Sequence, residues 1–159
     1  MMNQKKFYLT KDGLEKIKKE YDKLKNLRLM KIKNEAPRTW QSEDLNPEYL
    51  AFQEDLSFFE SRIYELEHVL KNVELIKTPP KATQDAVQLG ATVTLEEEGG
   101  RVNEFVIVGM LEASPGEGKI SSDSPVGKAL INKKKGEEVV ITSPIRVVYR
   151  IKNIKYHLS

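Results

Sequence analysis

Cysteine is absent from this sequence, which excludes disulfides and thiolate metal sites and is compatible with a reducing compartment. Histidine occurs only at His68 and His157. They are far apart and lack ligand spacing, so no zinc site made by this chain alone is expected. His68 falls off the helical seam described below and reads as a surface residue. No apolar run approaches a membrane span or the core of a signal peptide, so nothing points to a membrane or to export, and a cytoplasmic location is the expectation. Aromatic residues make up only 8% of the chain, and there is a single tryptophan, Trp40.

Charge, by contrast, is abundant: 31% of residues are Asp, Glu, Lys or Arg, against 39% hydrophobic. That balance suits an extended charged element better than one compact ball. The 159 residues could form one domain or two small ones. A net charge of +2 conceals an asymmetry, because residues 1–38 carry twelve Lys/Arg against five Asp/Glu and residues 39–76 carry two against nine. Two helices of opposite charge would attract along their flanks. A basic helix could equally face nucleic-acid phosphates. The two readings are compatible.

Periodicity is clearest in the second segment, where Tyr49, Phe52, Leu56, Phe59, Ile63, Leu66, Leu70 and Val73 alternate steps of three and four, as in a coiled-coil seam. Leu14, Ile17, Tyr21, Leu24 and then Leu27 or Arg28 echo it in the first segment, whose helix should begin near Thr10. Two such helices joined by a short connection predict an antiparallel hairpin. At roughly 25 residues per helix it would be about 40 Å long, enough to project from so small a protein. Pro37 should end or kink the first helix. Asn46, Pro47 and Glu48 read as N-cap, first residue and acidic first turn of the second. Residues 37–47, which include "RTWQSEDLNP" from Arg38, form the expected tip.

After Ile76 the pattern changes. "KTPPKATQDA" reads as a linker, so the expected division is a hairpin at 1–76, a linker at 77–87 and a second domain at 88–159. In that domain "ATVTLEE", "EFVIVGM", "EEVVITS" and "RVVYRIKNIKY" have strand character, with an "EEGG" turn between the first two. Ser124 and Pro125 mark the cap and first residue of a short helix, and Gly127 fits a tight turn. The expectation is an α+β chain whose second domain wraps four or five antiparallel strands around one short helix.

These pieces resemble the bacterial Gre transcript-cleavage factors along nearly the whole chain. The resemblance rests on "LTKDGLEKIKKEYDKLK", "NPEYLAFQEDLSFFESRIYELEHVL", "GATVTL" and "ISSDSPVGKALINKKKGEEVVITSP". It implies an N-terminal coiled-coil hairpin and a C-terminal domain of FKBP-like fold. It also implies a partner, bacterial RNA polymerase, whose secondary channel the hairpin enters to reach the 3′ end of backtracked nascent RNA. The factor would be a monomeric accessory to cleavage performed by the polymerase, with no cofactor of its own. Hydrolysis of a phosphodiester by two metals needs a second Mg²⁺, an ion that accepts one or two carboxylates and keeps other oxygen ligands. The resemblance implies that the tip helps hold this shared ion.

The tip departs from the family pattern Gly-Asp-Leu-Ser-Glu-Asn-Ala-Glu-Tyr. Here the letters are "EDLNPEY", and the two helices align with the pattern only if its Ser-Glu pair is missing. Asp44 then carries over as the metal-holding acid, while the second acid has no aligned counterpart. Glu43, at the pattern's Gly, or Glu48, at its later Glu, could substitute. The alternative for Asp44 and Glu43 is a solvated turn with capping value. Trp40 could cover the hairpin end, touch the polymerase or stack on an RNA base.

Three functions therefore stand open: a cleavage-stimulating factor using Asp44 with Glu43, a non-cleaving regulator of the same channel, and an FKBP-type prolyl isomerase. The third has poor material for an aromatic-lined pocket, since its domain holds only Phe105, Tyr149 and Tyr156 as aromatics. The resemblance further points to Ser124, Pro125 and Gly127 as lying near the polymerase-binding surface. By region it implies that Lys18, Lys25, Lys31 and Lys33 attract extruded RNA. Lys133, Lys134 and Lys135 read as a solvated turn or a contact with an acidic surface.

Overall fold

A computed structural model describes residues 5–35, 47–142 and 145–157, and the structural statements below concern those residues. Two compact units emerge, one from Leu14–Asn72 and one from Lys5–Gly13 together with the chain from Val73 onward. The class is α+β, with a helical hairpin and a curled sheet carrying a short helix, as the sequence led us to expect.

In the helical unit, α1 spans Lys11–Glu35 and α2 spans Pro47–Lys71. Thr10 caps α1 by accepting a hydrogen bond from the Gly13 amide on its Oγ1 at 3.1 Å. Pro47 and Glu48 open α2 as expected. On α1 the half-covered row runs through Ile17, Tyr21, Leu24, Arg28 and Lys31, while Leu27 is 37% exposed. Arg28 therefore continues the seam and Leu27 does not. On α2, Phe52, Leu56 and Phe59 are half-buried, and Ile63, Leu66 and Val69 are buried. Val73 leaves the predicted seam, because α2 ends at Lys71 and Val73 begins a strand.

Charged groups of the two helices meet across the hairpin. Of the contacts that follow, Lys31–Asp55 pairs a cation of α1 with an acid of α2, as the charge asymmetry predicts, while Arg62–Glu20 runs the other way. Arg62 holds Glu20 at two points, Nε to Oε1 at 2.8 Å and Nη2 to Oε2 at 3.2 Å. Glu20, with Glu65, raises the Arg62 pKa against the lowering effect of burial. The Tyr21 hydroxyl donates to Glu67 at 2.9 Å, and Lys31 pairs with Asp55 at 2.9 Å. Half-exposed pairs of this kind contribute about 0–1 kcal/mol each. They align the helices more than they hold them together.

The second unit begins with a pairing too short for sequence periodicity to reveal. Strand β1, Phe7–Leu9, runs parallel to β2, Val73–Leu75, in the register Phe7↔Val73 to Leu9↔Leu75. The sequence division assigned both segments to 1–76, whereas the structure groups them with the sheet unit. Beside them, the Glu112 carboxylate accepts from the Thr10 amide at 2.7 Å and from its hydroxyl at 2.5 Å. A negative charge at the start of α1 also suits the helix dipole. The carboxylate fits there because Gly13 has no Cβ to overlap it. Thr10→Ala removes the cap and is expected to lower stability by about 1 kcal/mol, with Thr10→Ser restoring most of it, as read by urea denaturation.

The main sheet has the order β5-β4-β3-β7-β6, from β3 at Ala91–Glu97, β4 at Val102–Val108, β5 at Lys119–Ser121, β6 at Glu138–Ile141 and β7 at Val147–Tyr156. Period-two alternation turns Ala91, Val93 and Leu95 inward, where they join Ile107, Ile120, Val139, Ile141 and Ile151. The short helix α3, Pro125–Leu130, adds Leu130 to this core. The sheet is not wholly antiparallel, since β5 runs parallel to β4. Parallel neighbours need a crossover, and 3-10 turns at Met110–Glu112 and Pro115–Glu117 lie along it.

Tyr156 ties the last strand to the segment before β3: its hydroxyl donates to the Ala86 carbonyl at 2.5 Å and accepts from the Gln88 amide at 3.0 Å. Tyr156→Phe strands both backbone groups, an expected loss of about 1–3 kcal/mol. Burial, the largest cause, raises the Tyr156 pKa above the ordinary 10.0, so the fold favours the neutral phenol. The associated stability is present below pH 10 and disappears as pH rises through the folded-state pKa. An alkaline unfolding titration should therefore show a shallower loss in Tyr156→Phe than in the wild type.

Candidate partner-binding site

The predicted site residues fall into two sets. Trp40, Glu43 and Asp44, like Pro37, Asn46 and the rest of the tip up to residue 46, lie outside the described residues. Ser124, Pro125 and Gly127 are described, and their local chemistry divides them by role.

Ser121 to Gly127 form a closed turn. The Ser124 hydroxyl donates to the Ser121 carbonyl at 2.7 Å and accepts from the Gly127 amide at 3.1 Å, capping α3. Ser121 Oγ accepts from the Asp123 amide at 3.1 Å, and the Ser122 amide donates to the Val108 carbonyl at 3.0 Å. Gly127 is buried, and a Cβ there would overlap the Ser121 carbonyl and the Ser122 Cα. Ser124 and Gly127 thus shape the turn from inside. Pro125 is exposed at its crest, with its ring rigid and its missing amide harmless at the first helical position. Flanking it, Asp123 and Lys128 are exposed too. Sequence reasoning passed over both, although their adjacency to Ser124-Pro125 was the available signal. The turn presents a stiff apolar ring between two opposite charges, a surface suited to protein contact rather than to chemistry.

The lysines predicted to attract RNA do not behave alike. Lys18 and Lys33 are exposed, and the Lys25 ammonium lies 5.0 Å from the Tyr21 ring centroid. Lys31 faces the other helix, with only 14% of its side chain exposed and its ammonium on Asp55. A largely covered ammonium already on a carboxylate is a poor phosphate ligand, so Lys31 is the least suited of the four to the patch. Glu48, the possible substitute acid, is exposed in the first turn of α2. Lys133, Lys134 and Lys135 are exposed, with Lys134 3.6 Å from Asp85. His68 is exposed and interacts with Asn72 on its own helix. Among the described residues no group of three or more His, Cys, Asp or Glu could hold a metal ion. No described helix is long and apolar enough to cross a membrane.

Phe105, Tyr149 and Tyr156, the aromatics that a proline pocket would require, pack against the sheet core. The isomerase reading gains no support from them.

Known proteins resemble both units. Residues 7–75 match the family model described as transcription elongation factor, N-terminal, and residues 82–156 match that described as transcription elongation factor, GreA/GreB, C-term. Transcription elongation factor GreA of Thermomicrobium roseum is 38% identical over 145 residues, covering 90% of this chain and 92% of the relative. The protein of the same name from Geobacillus kaustophilus is 37% identical over 147 residues, covering 91% and 92%. Among solved structures, GreA factor homolog 1 of Thermus thermophilus aligns with a TM-score of 0.42 at 24% identity, covering 95% of this chain and 99% of that one. With a family model on each unit and relatives matched nearly end to end, the chain belongs to the GreA/GreB family of transcription elongation factors.

Proposed function

We propose that this protein acts on bacterial RNA polymerase as an accessory factor, in the cytoplasm and as a monomer, and stimulates the polymerase's own cleavage of backtracked RNA. The carrying observation is the hairpin. Two helices of 25 residues each, or about 37 Å at 1.5 Å per residue, frame the connection that contains Trp40, Glu43 and Asp44. A paired helical arm of that length is a means of delivering a few side chains into the polymerase's secondary channel.

In that setting Asp44 would hold a Mg²⁺ shared with the polymerase, with Glu43 beside it. Carboxylate oxygens are hard donors and suit that ion's chemistry. When bound, the ion supplies charge stabilisation at the scissile phosphate. The chain's own residues do the rest. Lys18, Lys25 and Lys33 draw the extruded RNA 3′ end by charge, and Trp40 offers a face for the polymerase or a base. Pro125 docks the sheet unit, while Ser124 and Gly127 keep its turn in shape.

A second reading is favoured by one specific feature, the absence at the tip of the family's Ser-Glu pair. Such a factor would occupy the channel without promoting cleavage. The test is a backtracked elongation complex with the cognate polymerase, supplied with Mg²⁺ and this protein. Faster release of short RNA is the expected result. Slower nucleotide addition with no cleavage would establish the second reading, and no effect on the polymerase would remove both.

A further inference from the structure

We infer that the hairpin is built in two mechanical grades: a closed root around Ile63, Leu66 and Val69, and an outer part, residues 24–31 against 52–59, that opens locally while the root stays folded. This does not depend on what the hairpin enters.

At the root the seam is aliphatic and shut, with Ile63, Leu66 and Val69 at 4%, 1% and 7% exposure. The two-point Arg62–Glu20 pair and the Tyr21–Glu67 bond flank it. Farther out, α2 still offers apolar knobs, Phe52, Leu56 and Phe59, but these are only half-buried. The seam of α1 answers them with cations where a coiled coil would place aliphatic residues. Lys31 lies there with its ammonium on Asp55 and 6.0 Å from the Phe52 ring centroid. Arg28 is less well accommodated, since its Nε is shut away from solvent and has no hydrogen-bond partner.

Beyond Leu24, which stays half-covered on the seam, the apolar residues of this part of α1 lie off it. Leu29, Met30 and Ile32 are 59%, 57% and 43% exposed. An open cleft of about 230 Å³, lined by Leu27, Met30, Lys31, Asn34 and Phe59, runs beside the seam. Each feature favours parting. The apolar residues of the outer seam are less covered than those of the root, so parting sacrifices less burial there, and a desolvated guanidinium nitrogen regains water. Once apart, short helical segments are marginal in water, so their amides should exchange.

Hydrogen exchange on the full chain tests this. Amides of residues 24–31 and 52–59 are expected to exchange on the order of 10²-fold faster than those of residues 63–69. Equal protection along the hairpin overturns the proposal. Fraying from the helix ends would also produce a gradient, so Arg28→Leu is the deciding variant. It should slow outer exchange by about 10-fold, by removing the stranded nitrogen, and leave the root unchanged. Unaltered outer exchange in that variant also overturns the proposal. Asp55→Asn, which removes the charge of one partner of Lys31, should act in the opposite direction and speed outer exchange only. Equal acceleration at the root would contradict the separation into two grades.

Discussion

Replacing Asp44 with alanine is expected to lower the release of short RNA from a backtracked complex by on the order of 10²-fold or more. Disturbing even the outer partners of a bound metal commonly costs 10–100-fold, and a direct oxygen donor matters at least as much. Asp44→Asn keeps the shape and loses the charge, so it should fall nearly as far. Binding to the polymerase should survive both changes, because the proposed docking turn at Pro125 belongs to the other unit. Glu43→Ala separates two possibilities for the missing family acid. A loss comparable to Asp44→Ala would assign Glu43 that role, and a loss only in Glu48→Ala would assign it to the first turn of α2. Cleavage at the wild-type rate by Asp44→Ala would sink the assignment.

Gly127→Ala carries the largest expected effect on stability. A new Cβ would overlap the Ser121 carbonyl oxygen and the Ser122 Cα. Both are backbone atoms, held in place by the Ser122–Val108 and Ser124–Ser121 hydrogen bonds. Neither can withdraw as a flexible side chain could. Forcing such a contact costs about 1–3 kcal/mol, and a backbone clash beside the cap of α3 belongs at the upper end. For a unit of this size each 1 kcal/mol moves the midpoint by about 4–8 °C, so thermal melting should fall by about 10–20 °C. Pro125→Ala should change melting little yet weaken polymerase binding. If Gly127→Ala melted like the wild type, the tight-turn account of Gly127 would be wrong. If Pro125→Ala bound normally, the exposed ring would not be the docking element.

Much of the fold was legible because its repeats are long. The heptads of α2, the cap at Thr10, the start of α2 at Pro47 and the alternation across Ala91–Glu97 all involve residues close in sequence. Local geometry alone sets their meaning. The Ser124-Pro125 start of α3 was readable for the same reason. The parallel β1–β2 pair was not, because three-residue strands show no periodicity and their partners are 66 residues apart, as Phe7↔Val73 shows. A short strand at Lys119–Ser121 was legible, but its parallel direction was not, since that depends on the path of the preceding crossover. At the site, composition showed which residue types were present, but not that Ser124 and Gly127 face inward while Pro125 faces out.

The sequence alone determined the class of the protein, the two helices and their opposing charge, and the placement of acids between them, all consequences of local periodicity and of residue chemistry that needs no partner. Tertiary structure decided which charged groups are free to act. Lys31 and Lys33 are two residues apart, yet one is covered and paired with Asp55 and the other exposed. A helix turn of 3.6 residues puts them on different faces, and only the packing of α2 settles which face is covered. The same packing left Arg28 on the seam with an unpartnered nitrogen, a consequence of long-range contact that no local pattern contains.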